Sequence, residues 1–153
     1  IEHLGGKSFR DTAEEELIKR FLETVRPSCW SKAKPELKKD KIIFPDIVTW
    51  DSIHYQYYKE YDFEYDSDRK VSQFCEGIAF GADDVLCGSI EMIMGLDTRN
   101  VDISRWYDLT TTNASNMKFY ANGRIDVKFK DSAAAESCFK RLRLNEIKLR
   151  DEN

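Results

Sequence analysis

The residues Met117-Lys118-Phe119-Tyr120-Ala121-Asn122-Gly123-Arg124-Ile125-Asp126-Val127-Lys128-Phe129 carry the strongest local signal in the chain. Asn-Gly is favoured where both central residues of a type I′ turn need positive φ, and the twist of that turn suits a two-residue β-hairpin. After the turn, Ile125, Val127 and Phe129 alternate with Asp126 and Lys128, the period of a strand with one buried face. Asp131 or Ser132 then stands as an N-cap before Ala134, Ala135, Cys138, Phe139 and Leu142 at helical spacing. A hairpin running straight into a C-terminal helix is the expected unit.

Upstream, the pattern supplies the layers such a hairpin needs. Thr12 precedes Glu15 at capping-box spacing, and Leu17, Ile18, Phe21, Leu22 and Val25 share one helical face until Arg26-Pro27, which predicts a core-facing helix. Residues 31–40 read as an exposed lysine-rich loop around Pro35. Ile42, Ile43 and Phe44, then Ile47, Val48 and Trp50, are β-branched and aromatic material split by Pro45-Asp46, predicting two short strands. Ile53, Tyr55 and Tyr57 alternate with Ser52, His54 and Gln56, the period of a sheet with one wet face. From Glu60 to Asp66 carboxylates and rings alternate, which in an extended chain puts them on opposite sides. A cap at Asp66 or Asp68 opens a helix through Val71, Phe74, Cys75 and Ile78. Residues 81–95 fit a short helix, a buried strand being the alternative, and 98–116 read as a long connection pinned by Trp106 and Tyr107. The sum is an α+β fold: a mixed or antiparallel sheet from strands near 41–58 and 117–129, packed against helices near 12–25, 68–79 and 132–143.

At 153 residues the chain predicts one domain spanning 1–153. Its 41% apolar and 34% charged residues, of both signs, suit a packed core rather than a disordered segment. A formal charge of −4 removes the simplest electrostatic case for a nucleic-acid binder, while leaving room for a local basic patch. No apolar run approaches the roughly 20 residues of a membrane span. Cys29, Cys75, Cys87 and Cys138 are scattered, without C-x-x-C spacing, and the only histidines are His3 and His54, so neither a zinc site nor any other cofactor is implied; reduced thiols in a cytoplasmic protein are expected. Ile1 to Arg10 lack an initiating Met and the layout of a signal peptide, so the start reads as a fragment boundary in a longer protein.

No catalytic residue can be assigned. Asp46, Asp51 and Lys59, with His54 close in sequence, can be drawn as a metal-dependent nuclease site, but so loose a pattern matches many unrelated strands. Gly5-Gly6-Lys7-Ser8 is only the tail of a phosphate-binding loop. Two surfaces carry more weight. Trp30, Lys32, Lys34, Lys38 and Lys39, with Lys140, Arg141 and Arg143, combine cations with a ring able to stack on a base, a candidate nucleic-acid contact whose bland counterpart is solvated lysines. Glu60, Asp62, Glu64 and Asp66, with Tyr61, Phe63 and Tyr65 between them, form a candidate protein-interaction stretch, the rings being core residues in the plainer alternative.

The hairpin residues 117–129 resemble the F-K-N-G-N-x-H-x-x-F hairpin of a bacterial and phage domain family of unknown function, encoded beside adenine-type DNA methyltransferases and toxin genes on mobile elements. Lys41-Ile42-Ile43-Phe44 is similar to that family's K-K-I-I strand, and Asp68-Arg69-Lys70-Val71 through Gly77 to its D-x-x-R-V helix. Arg124 stands where that family has Asn, and Asp126 where it has His. The resemblance implies a setting, mobile DNA, and no catalytic residue. The expected function is therefore a non-enzymatic accessory module associated with DNA or RNA; the alternative is a protein-interaction module, an inhibitor or adaptor with a basic protein partner; an enzyme is third.

Overall fold

The computed structural model describes residues 3–4, 7–26 and 33–147. In chain order these form β1 (His3–Leu4), β2 (Lys7–Ser8), α1 (Phe9–Val25), β3 (Glu36–Lys38), β4 (Lys41–Phe44), α2 (Ser52–Tyr58), α3 (Ser67–Asp83), β5 (Tyr107–Asp108), β6 (Ala114–Phe119), β7 (Ile125–Phe129) and α4 (Ser132–Arg141). Single 3-10 turns lie at Ile90–Met92 and Leu144–Glu146. The fold is α+β. Its five-stranded sheet has the order β3-β4-β7-β6-β5 with every neighbouring pair antiparallel, and β1 and β2 pair separately. No helix among the described residues is long and apolar enough to cross a membrane.

Strand parity sorts the sheet into two faces. Ile42, Val127, Met117 and Tyr107 are in register across four strands, as are Phe44, Ile125 and Phe119 across three, and all are buried. Onto this face α1, α3 and α4 bring Phe21, Phe74, Ala135 and Cys138. The Phe44 ring meets Phe74 edge-on at 4.8 Å, and Phe21 stacks on Phe74 at 5.7 Å. The opposite face carries Lys41 across from Lys128, and Ile43, Asp126 and Lys118 in one row.

The hairpin forms, but not around a two-residue turn. Only Gly123 has positive φ (88°), Gly123 N–H donates to the Tyr120 carbonyl at 2.9 Å, and Tyr120 N–H donates to Arg124 O at 3.0 Å. This is a three-residue loop, a type I-like turn closed by a left-handed glycine. The reason is register. A two-residue turn would set Phe119 opposite Asp126 and mix the faces, whereas the extra residue sets Phe119 opposite Ile125 and Met117 opposite Val127.

Other expectations shift for local reasons. Helix α1 starts three residues before Thr12, because Ser8 Oγ accepts the Asp11 N–H; Thr12 lies inside it and donates to Ser8 O. The lysine-rich loop contains strand β3, and of the two strands expected at 42–50 only β4 forms, Trp50 making an isolated bridge to Phe63. Helix α3 continues to Asp83, and beyond it residues 81–95 hold one 3-10 turn. The long connection contains β5 and the start of β6, with Tyr107 buried and Trp106 exposed.

The largest difference is at 52–58, expected to be strand and found as helix α2. Asp51 Oδ1 accepts the N–H groups of Ile53 and His54, both at 3.0 Å, and Lys59 in the left-handed region (φ 57°) closes the end by donating to Tyr55 O at 2.8 Å. No residue of α2 is buried, so no core imposed the two-residue period, and the cap decided.

Candidate functional site

The described members of the predicted basic set lie around β3 and along and just after α4, two elements that touch. Trp30 and Lys32 lie outside the described residues, as does Cys29. Lys34 is exposed ahead of β3, Lys38 is on that edge strand 3.9 Å from the Glu36 carboxylate, and Lys39 sits in the following turn at φ 54°. Lys140 pairs with Glu136 one helical turn away at 2.9 Å. Arg141 Nη1 donates to the carbonyls of Phe80 and Gly81 near the end of α3 (3.2 and 3.4 Å) and lies over the Phe80 ring. Arg143 lines a hollow with Asp11, Glu14 and Glu15 of α1. Lys34, Lys38, Lys39, Lys140, Arg141 and Arg143 are thus all exposed, and Lys38, Lys140 and Arg141 already have partners within the protein.

The residues of the nuclease-like set stand in different local settings. Asp46 is exposed in a left-handed turn, Asp51 is the α2 cap, and Lys59 lies over the Tyr55 ring at 5.4 Å. Among the described residues no three His, Cys, Asp or Glu side chains converge to hold a metal.

The acidic aromatic stretch packs against α2 through Tyr55 on Tyr61 and His54 beside Glu60 and Asp62. Ile53, Tyr57 and Tyr58 are 68%, 74% and 66% exposed, and Tyr65 is 91% exposed. Phe63, by contrast, is buried and stacks on Trp50 at 5.3 Å, and Tyr61 is half-buried against Trp50 and Tyr55, so the rings divide between core and surface. Burial pushes the Tyr61 phenol up, and its hydrogen bond with Tyr55 adds to the rise. Of the four predicted carboxylates, Glu60 and Asp62 flank His54, at 3.4 Å from Nε2 and 3.7 Å from Nδ1, while Glu64 and Asp66 are exposed. Asp62, Glu64, Asp66 and Asp68 line a hollow of about 410 Å³ together with Arg69 and Arg99.

The backbone beneath this surface is held firmly. Asp51 N–H donates to Asp62 O at 2.8 Å, Glu64 N–H to Thr49 O at 3.0 Å, Phe63 N–H to Thr98 O at 3.1 Å and Val101 N–H to Tyr61 O at 2.8 Å. Residues 51–68 hold six carboxylates against one lysine, leaving the rest of the chain near neutrality. Ile53, Tyr57 and Tyr58 escaped notice as surface residues because their alternation resembled a strand; Asp51 ahead of a run free of Gly and Pro was the available signal.

A second charged array covers the other sheet face. Asp126, fully buried there, accepts Arg124 Nε and Nη2 at 2.6 and 2.7 Å, Lys41 Nζ at 3.1 Å and the Tyr120 hydroxyl at 3.1 Å. Burial alone would raise this carboxyl, but the hydrogen bonds from Arg124 and Lys41 outweigh it and hold it below the usual carboxylate range. Beside it the Lys118 ammonium lies 5.8 Å from the Trp106 centroid and 5.2 Å from that of Tyr120, with the Arg124 guanidinium 4.5 Å from the same Tyr120 ring. No motif announces these residues; cross-strand register alone gathers them.

Comparison of the chain with family models, curated proteins and solved structures gave no match.

Proposed function

We propose that this domain is a non-enzymatic protein-interaction module that docks a basic partner segment on the acidic aromatic surface of α2 and residues 60–66. One observation carries this: α2 buries none of its residues yet is built mainly from isoleucine and tyrosine, and Ile53, Tyr57 and Tyr58 stand largely in solvent. Burying a large apolar side chain is worth roughly 1.5–3 kcal/mol, so leaving several exposed on one ordered helix marks a surface that a partner covers. Tyrosine is the residue type that supplies rigid, amphipathic anchors at such contacts. The surrounding carboxylates select the sign of the partner: they repel phosphate and anionic surfaces and draw in lysine and arginine. In the mobile-element setting that the hairpin resemblance implies, a module of this kind is an inhibitor or adaptor.

The test is selection from a displayed peptide library, with counter-selection on the Tyr57→Ser/Tyr58→Ser variant. Enriched peptides should be lysine- and arginine-rich with an apolar residue, and should lose about tenfold in affinity, roughly 1.4 kcal/mol, against that variant. Neutralising Glu64 and Asp66 (Glu64→Gln, Asp66→Asn) should slow association and flatten its salt dependence. Peptides without basic residues, or binding indifferent to Tyr57 and Tyr58, would reject the proposal.

A further inference from the structure

We infer that the charged face of the sheet is a stacking platform for single-stranded nucleic acid, centred on Trp106, Lys118, Tyr120 and Arg124. It is a second surface, built from different elements than α2 and independent of the peptide-docking role.

Sequence alone places Trp106, Lys118 and Arg124 far apart; the β5-β6-β7 ladders bring them together. Tyr107 pairs with Met117 and Lys118 with Asp126, so Trp106, Lys118 and Arg124 fall on the side away from the helices. The two Lys118 distances limit the Trp106 and Tyr120 ring centroids to within about 11 Å of each other, with an ammonium between them. Trp106, at the surface, can take one base, and the Lys118 ammonium beside it can meet the adjoining phosphate, the pairing of ring and cation by which sheet surfaces bind single strands. The Arg124 guanidinium on the Tyr120 ring offers a further planar surface to a base.

Charge agrees with this occupant. The face carries Lys38, Lys41, Lys118, Arg124 and Lys128 against Glu36, Asp108 and Asp126, opposite in sign to the chain as a whole. The Asp126 carboxylate is buried under its own partners, so it presents little negative charge to a strand laid across the face. A duplex stacks its bases internally and has none to offer the rings. Neither stacking nor phosphate contact reads the sugar, so DNA and RNA strands are equivalent ligands.

The experiment is fluorescence anisotropy of end-labelled oligothymidine and oligouridine, with a duplex control, at about 50 mM salt, where phosphate contacts are strongest. Both single strands should bind, and more tightly than the duplex. Trp106→Ala should weaken binding about tenfold, within the range of one lost stacked base. Lys118→Ala should lower the salt slope by about 0.7, one phosphate contact to a single strand. Both positions lie on the surface face, and Lys128→Glu provides a charge-reversal variant that needs no aromatic truncation. Tyr57→Ser/Tyr58→Ser should leave oligonucleotide binding unchanged, which separates failure of this platform from failure of the peptide-docking surface. No binding of either single strand, equal binding of the duplex, or wild-type affinity in Trp106→Ala would overturn the inference.

Discussion

Arg124, just ahead of β7, reaches forward along the chain to place Nε and Nη2 on the two oxygens of Asp126, at 2.6 and 2.7 Å, giving a bidentate pair whose acid is fully buried and whose base is partly exposed. Lys41 and Tyr120 complete the acceptor's coordination from β4 and the hairpin. The carboxylate joins three segments of the chain.

Asp126→Asn should therefore be costly. Breaking a fully buried pair costs about 3–5 kcal/mol, but the Arg124 and Lys41 side chains are 32% and 31% exposed and regain some hydration. A loss of about 2–3 kcal/mol is expected on that basis, read by urea unfolding. A change below about 0.5 kcal/mol, the range of ordinary surface substitutions, would show that the network does not hold the hairpin to β4.

The same group gives the stability a pH dependence. Its carboxyl is held below the ordinary value in the folded state, so its contribution is complete above the unfolded carboxylate range and is lost as pH falls through the depressed folded value. Wild type should lose more stability than Asp126→Asn between about pH 5 and pH 2, with the two unfolding curves converging at the acid end. Parallel curves over that interval would contradict this.

Gly123→Ala tests the loop. The residue needs φ of 88°, and the Val48 carbonyl oxygen occupies the space a Cβ would take, while Gly123 O itself accepts the Ile47 and Val48 N–H groups at 2.9 and 3.0 Å. Strain in the left-handed region costs about 1–2 kcal/mol, and displacing a hydrogen-bonded segment adds to it. A total above about 2 kcal/mol is expected from thermal or urea unfolding.

Tyr57→Ser and Tyr58→Ser should change stability by no more than about 0.5 kcal/mol each, since both rings face solvent. Larger destabilisation, seen by calorimetry, would mean that the rings support the fold and are not reserved for a partner.

Arg141→Ala should lower stability by about 1–2 kcal/mol through loss of the charged hydrogen bonds to the Phe80 and Gly81 carbonyls, and should leave any oligonucleotide binding intact. Reduced binding with unchanged stability would restore this cation to a nucleic-acid surface.

Much of the scaffold was legible because its signals are local. The apolar faces of α1, α3 and α4 repeat at helical spacing, and α3 and α4 were read within a few residues of their ends. Glu60, Asp62, Glu64 and Asp66 read as one acidic stretch in the sequence; Asp62, Glu64 and Asp66 line one hollow, and Glu60 meets Asp62 only across His54. Trp106, Lys118 and Arg124 were not recognised together, since separation along the chain hides a proximity that only strand pairing creates.

Residues 117–129 contain both the Asn-Gly signal and the apolar alternation, and the chain alone settles that they form a hairpin followed by a helix. Which residues face each other was settled by burial: the loop takes three residues because Phe119 and Met117 must join Ile125 and Val127 against the helices. Residues 52–58 show the converse. Their alternation would suit a sheet, but no core lies behind them, so with nothing to bury the segment follows its cap into a helix and leaves its rings in water. Periodicity specifies a face only where packing is present to use it.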